Sequence, residues 1–236
     1  MRRSGSARSV ALGSFVDTSA VSGTLAAAAA TLPDVNPAPE ACFALLNAAH
    51  LDSESMTYLV VAGGTRETVL SALGADMDHV VADLSDVDFE NFSAYAVAEV
   101  EGGVIAIERS GYADPSTHAL GLMSAGGGAA AVARSNIQAH ERFGCARDGV
   151  LIFDDNEFTF IDREKRAKVP LELVALFDSA WVDLDEDEDD VDADLAGLFT
   201  AMAMVTVFTG VSATAQDLQR AQDGGYYRVR TFTYLE

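Results

Sequence analysis

Nine carboxylates crowd the twelve residues from Asp183 to Asp194, more charge than any hydrophobic core can hold. An unpaired buried carboxylate neutralises or unfolds its surroundings, so these side chains stay in water or meet something cationic. The rest of the chain is built to bury. Hydrophobic residues make up 49% of its 236 positions, enough for one domain with appendages rather than two full domains. The formal net charge of −22 argues against nucleic acid and anionic lipid, both of which are bound through basic surfaces. A basic protein is the partner that this charge favours. The apolar run from Ala201 to Phe208 falls far short of the ~20 residues that span a bilayer. Cys42 and Cys145 stand far apart with no Cys-x-x-Cys or Cys/His pairing, which points to a reducing cytoplasm rather than to a disulfide or zinc framework.

Arg2, Arg3 and Arg8 precede an apolar stretch that Asp17 cuts too short for a secretory signal. Residues 1–40 therefore read as an Ala/Ser/Pro-rich leader, disordered or partly helical, ahead of a single domain over residues 41–236. Within the domain, Thr57 to Ala62 reads as a buried strand. Gly63-Gly64 turns the chain, and Thr65 caps a helix that Gly74 ends. Ala94–Val100 and Val104–Arg109 flank Glu101-Gly102-Gly103 as a hairpin. Asp114-Pro115 supplies a capping carboxylate and a first-turn proline for a helix through Leu120 and Met123. Residues from Gly127 to Ala133 form a small-residue strand suited to the centre of a sheet. Asp148-Gly149 marks a two-residue hairpin, and Phe158 to Ile161 extends the meander. Pro170 opens a helix through Leu173 and Phe177. Asp192 or Asp194 caps a long helix ending at Gly210, Thr214 and Asp217 form a capping pair, and Tyr226 to Tyr234 closes the domain as a strand. Hairpins interleaved with short helices give an α+β fold with a mostly antiparallel sheet.

Several blocks in fixed order carry a resemblance. They are Tyr58-Leu59-Val60-Val61 with Val69 to Ala75, the hairpin ending Val104 to Glu108, Leu122 to Gly127, Asn136 to Phe143 before Asp148-Gly149, and Phe208 to Val211. Over about residues 42–227 the chain resembles a domain of unknown function common in actinobacterial proteins. Where that family has a second asparagine after Asn136, this chain has Gln138. The resemblance implies a fold and no activity.

No catalytic, cofactor or metal site is expected. His50, His79, His118 and His140 are scattered with no spacing that sets two ligands on one helical face, and no Gly-x-Ser-x-Gly elbow occurs. Glu108, Glu141 and Asp148 could form a carboxylate pair on adjacent strands, but ordinary sheet-surface charge accounts for them more simply. Asp183, Asp185, Asp187, Asp189 and Asp194 match an EF-hand count without its glycine, leaving weak calcium binding or mimicry of a polyanion as alternatives for the run. The candidate interaction surface combines Asp183, Asp185, Asp187 and Asp189 with Asn136, Gln138 and Arg142, whose carboxamides and guanidinium can recognise a peptide backbone or a carboxylate. The simpler account makes Asn136 a turn cap and pairs Arg142 with Glu141 or Asp148. The expected function is a non-catalytic, acidic interaction protein of the immunity, defence or regulatory type. An enzyme whose site assembles only in three dimensions is the alternative.

Overall fold

The computed structural model describes residues 38–138, 140–181 and 197–230. The leader up to residue 37 and the acidic run, with the helix cap expected from Asp192 or Asp194, lie outside the described residues. Eight strands occur among the described residues: β1 (Met56–Ala62), β2 (Val80–Val81), β3 (Phe92–Val100), β4 (Gly103–Glu108), β5 (Ala129–Ser135), β6 (Arg142–Arg147), β7 (Val150–Asp155) and β8 (Tyr226–Arg230). They form one sheet in the order β2-β8-β3-β4-β1-β5-β6-β7, with every neighbouring pair antiparallel. The fold is α+β.

Strand periodicity sorts the core into two layers. Along β1, Met56, Tyr58 and Val60 enter one hydrophobic cluster, while Leu59 and Val61 enter the other. The first cluster holds residues of α1 (Pro39–Ala48), α5 (Val174–Asp178), α6 (Gly197–Thr209) and α7 (Ala215–Asp223). The second holds α2 (Arg66–Ala72) and α3 (Thr117–Ser124). A four-residue helix, α4 (Arg163–Arg166), is capped by Asp162. With helices on both faces the central strands are buried throughout, which explains runs such as Ala129 to Ala133 that lack polar alternation. Those alanines let α6 settle against β5. α6 is itself apolar around most of its circumference, as a helix enclosed by protein must be.

Local signals placed several boundaries. Thr65 accepts the Thr68 N–H, and Thr214 with Asp217 forms a complete capping box. Asp148 and Gly149 adopt φ of 53° and 81°, the left-handed pair that a two-residue hairpin demands. Two expectations are corrected. Phe158 to Phe160 forms a 3-10 turn instead of a strand, because the chain turns inward to bury Phe158 between the rings of Phe143 (6.3 Å) and Phe177 (5.9 Å). Asp114 does not cap α3. Ser116 does so, accepting the Ala119 N–H at 3.1 Å, and this leaves Asp114 for other work.

Candidate functional site

At the end of β5 the chain leaves the sheet through Asn136, which is 7% exposed. Its Oδ1 accepts the backbone N–H groups of Gln138 (2.9 Å) and His140 (3.1 Å), folding the exit loop into a local turn. Opposite, Asn156 and Glu157 follow the end of β7, and His140 Nδ1 lies 2.8 Å from Glu157 Oε1. Arg134, 3% exposed near the end of β5, reaches between the two exits. Its Nη2 donates to Asn156 Oδ1 at 3.5 Å and its Nε lies 3.7 Å from Asp114 Oδ2. Tyr112 forms a third wall. The result is a polar pocket of about 470 Å³ lined by Tyr112, Arg134, Asn136, Gln138, His140, Asn156 and Glu157.

Arg142 belongs to the pocket's foundation and not to its lining. It is 4% exposed on β6, and its expected pairing with Glu141 or Asp148 is corrected. Successive strand residues face opposite ways, which separates it from Glu141, and Asp148 sits in the turn at the far end of β6. The guanidinium instead donates from Nε to Asp154 Oδ1 (2.7 Å) and from Nη1 to Asp114 Oδ2 and the Pro115 carbonyl (both 2.6 Å). Burial alone would depress its pKa, but Asp154 and Asp114 more than offset that and hold it above its ordinary value. Two buried arginines, Arg134 in the lining and Arg142 beneath it, thus balance two aspartates.

A second buried network fixes the Tyr112 wall. Glu108 is no surface charge: its exposure is 0%, at the end of β4. Oε1 accepts the Ser110 N–H (2.8 Å) and the hydroxyls of Ser93 and Ser110, while Oε2 accepts the Gly111 N–H (2.7 Å) and the Thr57 hydroxyl (3.4 Å). Burial raises the pKa of Glu108, the hydrogen bonds from Ser110, Ser93 and Gly111 pull it back, and burial prevails. Gly111, with φ of 68°, has no room for a side chain because the Ser135 carbonyl packs against it. The turn leaving β4 is therefore locked to the end of β5, and Tyr112 with it.

Glu141 also leaves its expected role. Its carboxylate sits at the start of α6, accepting the Leu198 N–H at 3.2 Å, where the helix dipole favours negative charge. Burial nonetheless raises its pKa, with the Leu198 hydrogen bond opposing. Asp148 stays in its hairpin turn, so Glu108, Glu141 and Asp148 serve three separate structures. Cys42 and Cys145 are free and buried, and burial pushes their thiols up to about 11 and about 12. Such thiols are poor nucleophiles.

Of the expected surface, the structure brings together Asn136 and Gln138 and sets Arg142 beneath them. Asp183, Asp185, Asp187 and Asp189 lie outside the described residues. Sequence reasoning missed Tyr112, Arg134, Asn156 and Glu157. One signal was there to find: Arg134 is the lone charge at the end of a strand otherwise made of alanine, valine and serine. Among the described residues no three His, Cys, Asp or Glu side chains gather as a metal site, and no helix is long and apolar enough to cross a membrane.

A family model described as a Family of unknown function (DUF6461) matches residues 42–223. The chain belongs to that family. The DUF6461 match runs from α1 through α7 and takes in every residue that lines the pocket. No curated protein and no solved structure matches the chain.

Proposed function

We propose that this DUF6461 protein is a non-catalytic interaction protein that binds a cationic protein, acting in the cytoplasm of an actinobacterial host in an immunity, defence or regulatory role. One observation carries the reading. Outside the acidic run, the described residues still hold twenty-five Asp and Glu against twelve Lys and Arg. At least eight of those twelve cations, among them Arg142, Arg147, Lys165, Arg166, Arg220 and Arg228, already pair with carboxylates of the same body. The negative excess is thus spread over the domain as well as crowded into residues 183–194. A surface of this sign speeds encounter with a basic protein and repels polyanions. A nucleic-acid-binding protein, whose basic groove is shaped for phosphates, is one such partner.

The test is retention of basic proteins on the immobilised chain at about 50 mM salt, followed by release as salt screens charge beyond about 10 Å at 0.1 M. Retention of basic proteins that salt weakens supports the reading. Retention of none, or capture indifferent to salt, overturns it.

The pocket favours a second reading, an enzyme whose site joins separate segments, because His140 is held by Glu157 at its wall. Turnover of any substrate that is lost in His140→Gln and kept in Arg220→Ala would displace the binding-only reading.

A further inference from the structure

We infer that the pocket between the ends of β5 and β7 receives an extended segment of the cationic partner, its carboxamides reading a peptide group while Glu157 and Tyr112 take a neighbouring lysine or arginine side chain. The inference rests on the proposed function and adds where, and by what chemistry, the partner is read.

The site is built in advance. Arg134 and Asn136 are both more than nine-tenths buried, and the Glu108 and Arg142 networks hold the walls on either side. Its electrostatics choose the ligand. Arg134 and Arg142 are countered by Asp114 and Asp154, so a phosphate or carboxylate entering the pocket finds no uncompensated cation. What remains is the Glu157 carboxylate, half exposed, in contact with His140 and with the Lys165 charge in the same neighbourhood. The interior suits a neutral polar group and the rim suits a positive one.

The hydrogen-bonding groups narrow the class further. Asn136 spends its Oδ1 on the backbone, leaving its Nδ2 with no hydrogen bond among the described residues. Asn156 Oδ1 accepts from Arg134, and its Nδ2 is left likewise. The Gln138 carboxamide has no side-chain hydrogen bond among the described residues, so both its C=O and its NH₂ are available. Along an extended strand the N–H and C=O of one residue point to the same side, so Gln138 can accept from one and donate to the other while Asn136 and Asn156 donate to flanking carbonyls. The Tyr112 ring, 41% exposed, offers a face to a cationic side chain beside Glu157. A volume of about 470 Å³ admits a few residues of extended chain. A second copy of this protein is a poor occupant, since each copy carries −22.

The experiment titrates the isotopically labelled full chain with acetyl-Gly-Arg-Gly-Arg-Gly-amide, using the asparagine analogue of that peptide as an uncharged control, and follows backbone and side-chain amide resonances. The expected result is movement centred on Asn136, Gln138, Asn156 and Glu157. Affinity should fall about tenfold in Gln138→Ala, an exposed position whose side chain makes no hydrogen bond among the described residues, with its melting temperature unchanged. Movement confined to exposed acidic residues such as Asp78, Asp86, Asp88 and Glu90, with the pocket still, overturns this inference and leaves the charge-based function standing. If nothing moves even at low salt, both fall. Equal binding of the asparagine control overturns the assignment of Glu157 and Tyr112 to a cation.

Discussion

The Glu141 carboxylate fills the space in which a side chain on Gly197 would have to stand, and its Oε1 accepts the N–H of Leu198, 57 residues further along the chain. The residue before β6 thereby anchors the first turn of α6, and its own carbonyl accepts the Phe158 N–H at 3.2 Å. Gly197→Ala must push this carboxylate aside, at a cost of about 1–3 kcal/mol in urea unfolding. Glu141→Ala loses a cap-like bond worth about 1 kcal/mol. Because the methyl group enters the space that the carboxylate vacates, the double variant should cost less than the sum of the two singles.

Glu108 gives a pH signature. Its two backbone donors, Ser110 and Gly111, bind different oxygens, so a carboxamide there would turn its NH₂ against one of them. Glu108→Gln should cost about 1–3 kcal/mol through that unsatisfied group. The sign of the pH effect follows from the raised pKa. The folded state holds the Glu108 proton more tightly than the unfolded chain, so this contribution is full below the ordinary value of 4.5 and is lost as pH rises through the higher native value. Glutamine cannot titrate, so the variant's deficit should be largest on the acid side and narrow as pH rises. Denaturant unfolding of both proteins between pH 4 and 8 would show it; a deficit constant with pH refutes the assignment.

Residues whose partners lie close in sequence were legible, and those paired across the sheet were not. Asp148-Gly149, Thr65 and the Thr214–Asp217 box each act within a turn, so composition sufficed. The partners of Glu108 include Ser93 and Thr57, 15 and 51 positions away, and become neighbours only when β4 lies between β3 and β1. The same blindness let Asp114 read as a cap, although a serine two residues later does that work and the aspartate crosses to Arg142. Of the candidate site, Asn136 was legible as a turn former and Gln138 by proximity, while the wall from Asn156 and Glu157 depended on the pairing of β6 with β7.

Arg142 is the residue whose loss should damage the pocket most. Removing it strands the carboxylate of Asp154 and leaves Asp114 with the 3.7 Å contact to Arg134, both mostly shielded from water, and breaking a buried pair in this way costs about 3–5 kcal/mol. Lysine brings one charge but no planar fork, so it cannot serve Asp154 from one nitrogen while another serves Asp114 and the Pro115 carbonyl. Thermal unfolding should rank wild type above Arg142→Lys and that above Arg142→Ala. An Arg142→Ala midpoint equal to wild type would show that the network does not hold the site.

Asn136 separates stability from recognition. Its Oδ1 satisfies two backbone donors of a part-buried turn, so Asn136→Ala should lose about 1–3 kcal/mol, at about 0.5–1.5 kcal/mol per bond, and loosen the loop from Gln138 to His140. Aspartate keeps the accepting oxygen in place and should restore most of that stability. It also replaces the NH₂, which has no hydrogen bond among the described residues, with a second acceptor, so it cannot donate to a peptide carbonyl in the pocket. Asn136→Asp should therefore melt near wild type yet bind the arginine peptide more weakly, whereas a purely structural asparagine would let both properties recover together. Melting curves and peptide titrations on the three proteins, at a pH where the aspartate is ionised, distinguish the two cases.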